Sequence, residues 1–229
     1  MNFPLKILSS KQIRQADFYT IKNEPIKSTD LMERAALKCF KWIQSKYDLS
    51  YTFYIFCGSG NNGGDGLALA RMLYLSKYKV YCYQIKLGKN FSNDFLENKK
   101  RLETEVNSIS QIEQFPIIKN KSEGIIIDSI LGSGLNRNIS GLLKEIICKI
   151  NQTEVEVVSI DIPSGLFSED NSLNKKEGII KAKYTLCFNS PKLSFVLPEN
   201  YQFVGEFHVL DIGLDIDFIS SLNSKYYYL

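Results

Sequence analysis

Apolar runs of strand length recur along the chain at residues 51–56, 79–85, 124–127, 155–160, 184–188 and 206–210. Between the first four lie segments of helical period, at 66–78, 91–106 and 141–150. Strand then helix, repeated, is the signature of a parallel sheet covered on both faces. Right-handed crossovers then place the carboxyl ends of the strands along one edge. Two more helical stretches, 10–22 and 28–47, precede the first strand. The second opens on Ser28, Thr29 and Asp30 as candidate caps and carries Leu31, Met32, Ala35, Ala36, Cys39, Phe40 and Ile43 on a broad apolar face.

Composition narrows the class. A chain of 229 residues suits one domain, 1–229, large enough for a three-layer core. The formal charge of +3, from 28 basic and 25 acidic residues with no dense basic block, gives no sign of a nucleic-acid surface. The five cysteines are odd in number and lack C-x-x-C spacing, so buried free thiols in a reducing compartment are expected. The start, MNFPLKILSSKQIRQ, has no apolar core of signal-peptide length, and no apolar run reaches membrane-spanning length. The expectation is a cytoplasmic protein with no membrane partner. Tyr226, Tyr227 and Tyr228 read as a packing or interface tail.

Three strands end in sequences that look chemical. They are Gly58-Ser-Gly-Asn-Asn-Gly-Gly-Asp-Gly66, Asp128-Ser-Ile-Leu-Gly-Ser-Gly-Leu-Asn-Arg137 and Asp161-Ile-Pro-Ser-Gly165. In an open parallel sheet such loops converge on one crevice. The first is expected to form a turn, with its helix under way by Gly66 or Leu67, and glycines before a helix start build an anion site. Gly58, Gly60 and Gly63 satisfy G-x-G-x-x-G, but the second strand ends Gln84-Ile85-Lys86 without the acidic residue of redox dinucleotide folds. A plain tight turn explains the glycines and leaves Asn61, Asn62 and Asp65 unexplained. Asp128 and Asp161 read singly as loop or helix caps and together as a functional pair. With the amide oxygen of Asn62 and the hydroxyl of Ser164 they form an all-oxygen set that suits a hard cation. The segment 132–138 is either a second phosphate cradle with Arg137 as bidentate partner or a loop with an exposed arginine. Lys192 is either a phosphate contact or a surface charge, and His208 is expected to be a packed or edge residue.

GSGNNGGDGLALAR, DSILGSGLNR, SIDIPSG and SPKLSF, in this order and after a helix bearing LMERAA, closely resemble the NAD(P)H-hydrate epimerase family, also called YjeF N-terminal domains. The resemblance runs from about residue 10 to residue 214. It implies an α/β fold, a three-layer α/β/α sandwich with a Rossmann-like, mostly parallel sheet and two N-terminal helices, in a homodimer. It also implies an isomerase that interconverts the R and S epimers of hydrated NADH and NADPH, NADHX and NADPHX. Carried over by motif, Asn61, Asn62, Gly63, Gly64, Asp65, Gly132, Ser133, Gly134, Leu135, Asn136, Arg137, Asn138 and Asp161 would contact substrate. Asn62, Asp128 and Ser164 would hold one potassium ion per subunit. Ser59 stands where the family often has proline and Ser133 where threonine is common, and Asn136 and Asn138 are further departures.

The reacting carbon of such a hydrate bears both a hydroxyl and the ring nitrogen. Epimerisation therefore needs a proton donor and acceptor, by loss of hydroxyl to an iminium or by ring opening. Asp161 is the expected acid/base, with Asp65 orienting the ring or its ribose and the cation fixing the loops. Many relatives carry a fused dehydratase, so a separate dehydratase is the expected partner here. The runner-up reading is a non-catalytic dimeric scaffold, as in related domains of messenger RNA decapping factors; a conventional nicotinamide or flavin oxidoreductase comes third.

Overall fold

The computed structural model describes residues 5–228 apart from 87, 89, 103–104 and 119–122. A two-residue strand, β1 (Leu5–Lys6), is followed by helices α1 (Ser10–Asn23) and α2 (Ser28–Lys46). Strand and helix then alternate: β2 (Thr52–Cys57), α3 (Asn61–Leu75), β3 (Lys79–Ile85), α4 (Asn93–Arg101) and β4 (Val106–Ile109). After these come β5 (Gly124–Ser129), α5 (Gly141–Gln152), β6 (Glu156–Ile160), β7 (Tyr184–Phe188) and the single turn α6 (Tyr201–Val204). The chain closes with β8 (Glu206–Leu210), α7 (Ile216–Ser221) and β9 (Tyr227–Tyr228).

Seven strands form one sheet in the order β4-β3-β2-β5-β6-β7-β8, and every pairing is parallel. The expected fold class is what forms. The central strands read as unbroken apolar runs because both faces are covered. Alternation sorts their side chains. Phe53, Ile55, Ile125, Ile127 and Val158 join the core under α2 and α3, while Tyr54, Phe56, Ile126 and Val157 join the one under α5.

β4 corrects the predicted helix over 91–106. That helix is capped by the Ser92 hydroxyl, which accepts from Phe95 N–H, and it ends at Arg101; residues 103 and 104 lie outside the described set. Val106 instead opens the edge strand VNSI, half of which faces outward, so it shows no apolar run to read.

The ends of the chain meet. β1 and β9 pair antiparallel, with Leu5 opposite Tyr228, so the backbone of the tyrosine tail pairs within the chain while the tyrosine side chains stay exposed. His208 on β8 packs 5.1 Å from the Trp42 ring, away from the strand-end loops, as expected. Four of the five free cysteines are buried. Among the described residues no helix is long and apolar enough to cross a membrane.

Candidate active site

β2, β3 and β4 spread to one side of the sheet, whereas β5 returns beside β2 and the later strands spread to the other. This reversal opens a crevice at the strand carboxyl ends. The first wall comes from β2 and α3, and here the structure departs from the expected turn. The helix begins at Asn61, so Asn61, Asn62, Gly63, Gly64 and Asp65 are already helical. Glycine is a poor helix former, but here close approach outweighs propensity. A Cβ on Gly58 would lie 1.9 Å from the Ile130 carbonyl oxygen, one on Gly63 2.0 Å from that of Gly58, and one on Gly66 2.0 Å from Ser129 Oγ. Gly64 faces Met32 Sδ at 2.8 Å in the same sense. These contacts press α3 against β2 and β5.

The floor is a buried oxygen network. Asp128, 0% exposed at the end of β5, accepts from Ser159 Oγ at 2.8 Å, Ser164 N–H at 2.8 Å, Ser164 Oγ at 2.5 Å and Ile130 N–H at 3.3 Å. Burial raises its pKa, and these hydrogen bonds oppose the rise. Leu131 continues the network upward: its N–H donates to Ser164 Oγ at 2.8 Å, and its carbonyl accepts from Asn62 Nδ2 at 2.9 Å. The other end of that amide, Asn62 Oδ1, is buried with no hydrogen-bond partner among the described residues. An unpartnered buried oxygen costs free energy unless something positive meets it. Amide, hydroxyl, carbonyl and carboxylate oxygens linked in this way fit a hard cation. No group of three or more His, Cys, Asp or Glu gathers as a softer metal site would among the described residues.

Asp161 follows β6 in the left-handed region, at φ 66°, a conformation that non-glycine residues adopt at a cost of about 1–3 kcal/mol. It is held there by its own N–H, which donates to the Leu186 carbonyl at 2.8 Å. Its carboxylate is also fixed. Oδ2 accepts from Ser133 N–H at 2.9 Å, and Oδ1 lies 3.0 Å from Lys192 Nζ. Lys192 is 1% exposed, so it is neither a surface charge nor free to reach a phosphate. Burial works against its ammonium form, but Asp161 and Cys187 outweigh burial and its pKa lies above the ordinary value.

The crevice has a volume of about 660 Å³, enough for a cofactor-sized ligand. Its polar side brings together Asn61, Asn62, Asp65, Gly132, Ser133, Gly134, Leu135, Asn136, Arg137 and Asp161. Gly63 and Gly64 lie behind this wall, and Asp128 and Ser164 lie beneath it. Asn138 sits in an adjoining depression, where its side chain accepts from Lys175 N–H and donates to the Leu173 carbonyl.

The opposite side went unread in the sequence. α1 contributes Ile13, Arg14, Asp17 and Ile21, and α2 contributes Leu31, Met32 and Ala35. Asp17 had a signal: it interrupts a stripe of apolar residues at helical spacing, four residues after Ile13 and four before Ile21. Burial and the nearby charge of Asp161 raise its pKa to about 6, with Lys192 opposing. Asp65 is pushed well above the usual carboxylate range by burial, then by Asp161, Asp17 and Asp94.

An all-parallel sheet flanked by helices, with a crevice at its strand-order reversal, defines a Rossmann-like α/β/α domain. Within that class the chain belongs to the family described as YjeF-related protein N-terminus, whose model matches residues 28–194. A relative from Oenococcus oeni named NAD(P)H-hydrate epimerase is 33% identical over 212 residues, covering 90% of this chain and 96% of its own. One of the same name from Anaerococcus prevotii is 39% identical over 166 residues, 70% of this chain and 75% of its own. The bifunctional NAD(P)H-hydrate repair enzyme Nnr of Dictyoglomus turgidum is 32% identical over 95% of this chain but only 42% of its own length. Among solved structures, yeast ynu0 matches with a TM-score of 0.72 at 22% identity, covering 93% of this chain and 92% of its own, which shows the shared fold.

Proposed function

We propose that this protein is an isomerase that interconverts the R and S forms of NADHX and NADPHX in the repair of hydrated nicotinamide cofactors. One observation carries the reading: Asp17, Asp65 and Asp161 converge on the crevice with one of them fixed by a buried ammonium, in a family whose relatives bear the epimerase name. Breaking and remaking the carbon–oxygen bond at a hemiaminal carbon needs proton donors and acceptors close together. Asp161 is the acid/base nearest the floor, oriented by Lys192 and the Ser133 N–H. Asn61, Asp65 and the 132–137 wall position the dinucleotide, with Arg14 and Arg137 as the cations available to its phosphates. A non-catalytic scaffold would account for the fold but not for this cluster.

Potassium, one ion per subunit, is the cation that Asn62 would hold with Ser164 and Asp128, and the unpartnered Asn62 Oδ1 supports that reading. When bound it would supply positive charge that ties the first, second and third strand-end loops together. Exposed Phe18, Tyr226 and Tyr227 offer apolar surface for a homodimer. Buried free thiols suit a cytoplasmic setting. A dehydratase that consumes the S epimer would complete the repair.

The deciding experiment mixes the protein with the R hydrate and a dehydratase specific for the S epimer. Faster recovery of reduced cofactor is expected, and no acceleration sinks the reading. Asp161→Asn is expected to lose the rate while substrate binding persists; a variant that keeps near wild-type rate removes Asp161 from its role.

A further inference from the structure

Three carboxyl groups line the crevice, one of them paired with the Lys192 ammonium, and their bonding is unequal. Asp161 is engaged through both oxygens, by Lys192 and by Ser133 N–H. Neither Asp17 nor Asp65 has a hydrogen-bond or ion-pair partner among the described residues, although both line the crevice. A single buried ammonium cannot balance three nearby carboxylates, so such a cluster retains protons. Asp65 stands on α3 beside Asp94 and is the harder of the two to ionise, whereas Asp17 lies within the field of Lys192 and is poised to give up its proton.

The placement of Asp17 is built rather than incidental. α1 starts on a reciprocal cap in which Ser9 Oγ accepts from Gln12 N–H and Gln12 Oε1 accepts from Ser9 N–H. The chain leading into α1 is tied down where Leu8 N–H donates to Ser190 Oγ at 3.0 Å, two residues before Lys192. Its far end is tied where Thr20 Oγ1 accepts from Asp215 N–H at 2.9 Å. Asp17 is therefore presented from a fixed helix, flanked by Ile13 and Ile21, toward the crevice.

We propose that Asp17 is a second catalytic residue of this site, donating the proton that lets the substrate hydroxyl depart; the assignment rests on the epimerase reading. The proton of the Asp17 carboxyl passes to the hydroxyl on the hemiaminal carbon, the carbon–oxygen bond breaks, and water leaves with the bonding pair. The ring-nitrogen lone pair forms the carbon–nitrogen double bond of an iminium. Water then adds to the other face, its oxygen bonds to the carbon, the double-bond pair returns to nitrogen, and the released proton goes to the Asp161 carboxylate. One proton passing from Asp161 back to Asp17 restores the starting state, and nothing is oxidised or reduced. The charged and titratable groups acting on Asp17 are Asp161 and Lys192 from beyond β6 and β7 and Asp65 on α3, and Asp94 on α4, Arg137 on the second loop and Arg14 on its own helix line the same crevice.

The test uses the full chain, R-NADHX and excess S-specific dehydratase, with Asp17→Asn and Asp17→Glu beside wild type. Asp17→Asn is expected to lower kcat by about 100-fold or more, the scale of one general acid, with KM within about threefold and no loss of thermal stability. Asp17→Glu keeps the acid and is expected to recover part of the rate. Wild-type kcat is expected to fall as pH rises through the ionisation of Asp17, and the residual rate of Asp17→Asn to lack that limb. Wild type active but Asp17→Asn within threefold, or an unchanged alkaline limb, overturns Asp17 alone. So does a lost rate accompanied by a raised KM and a lower melting temperature that Asp17→Glu shares. Wild type without activity overturns the epimerase reading and this assignment with it.

Discussion

Lys192 Nζ and Asp161 Oδ1 stand 3.0 Å apart where the lysine is 1% exposed and the aspartate 15%. Removing one partner of such a pair leaves an uncompensated charge. Lys192→Met is expected to cost about 2–3 kcal/mol in urea unfolding, below the range for fully buried pairs because Asp161 keeps some contact with water. Lys192→Met with Asp161→Asn should recover part of that loss. If the double variant is as unstable as the sum of the singles, the two groups are not coupled.

The raised pKa of Asp17 makes stability depend on pH. In the folded state the group binds its proton up to about pH 6, against an ordinary value of 3.8, so the fold takes up protons between these limits. The contribution is full below pH 3.8 and is lost as pH rises through 6. Asp17→Asn, neutral throughout, is expected to be more stable than wild type at pH 7 by about 1–2 kcal/mol and to show a flatter profile from pH 4 to about 7. A steeper profile, or lower stability at neutral pH, contradicts the sign. Activity and stability are thus expected to move in opposite directions at this one position.

Gly58 and Gly60 lie two residues apart and should behave differently. A Cβ on Gly58 runs into the Ile130 carbonyl at 1.9 Å, whereas one on Gly60 meets nothing within 4 Å. Gly58→Ala is expected to cost about 3 kcal/mol by forcing β2 and β5 apart at their ends. Gly60→Ala should stay within about 0.5 kcal/mol of wild type. Melting curves of the two variants check this, and equal losses would mean the glycines serve one common purpose.

For the cation, potassium chloride is expected to raise the wild-type melting temperature by about 3 °C or more over choline chloride at equal ionic strength, as for any ion that binds only the folded state. Asn62→Ala should abolish the difference. A potassium response that survives this substitution places the ion elsewhere.

The sheet was legible where strands are buried on both faces, because FYIFC in β2 and GIII in β5 are continuous apolar runs. β4 was not, since an edge strand of four residues needs no such run. The start of α3 was hidden for a different reason. Its glycines argue against a helix on propensity, and only the approach of Ile130, Ser129 and Met32 shows why they are there. The strand-end motifs NNGGDG and DIPSG announced one side of the crevice because each is contiguous. Lys192 is visible in the sequence as a cation at a strand end and Asp17 as a break in an apolar stripe, but the role of neither is. The partner of each is brought close by tertiary packing, and sequence spacing holds no trace of a buried ion pair between separate strand ends or of a helix laid across them.

The pairing of β1 with β9 gives the chain's last residues an influence on a crevice they do not line. Leu5 lies opposite Tyr228, Ile7 N–H donates to the Tyr226 carbonyl at 3.0 Å, Lys6 Nζ donates to the Leu222 carbonyl at 2.8 Å, and Gln12 Nε2 donates to that of Asn223 at 2.7 Å. The C-terminal tail thereby acts as a latch on α1, the helix that presents Asp17. Both α1 and the latch fall outside the 28–194 stretch that the family model matches. Residues that bind nothing can therefore set how firmly the crevice is closed on one side.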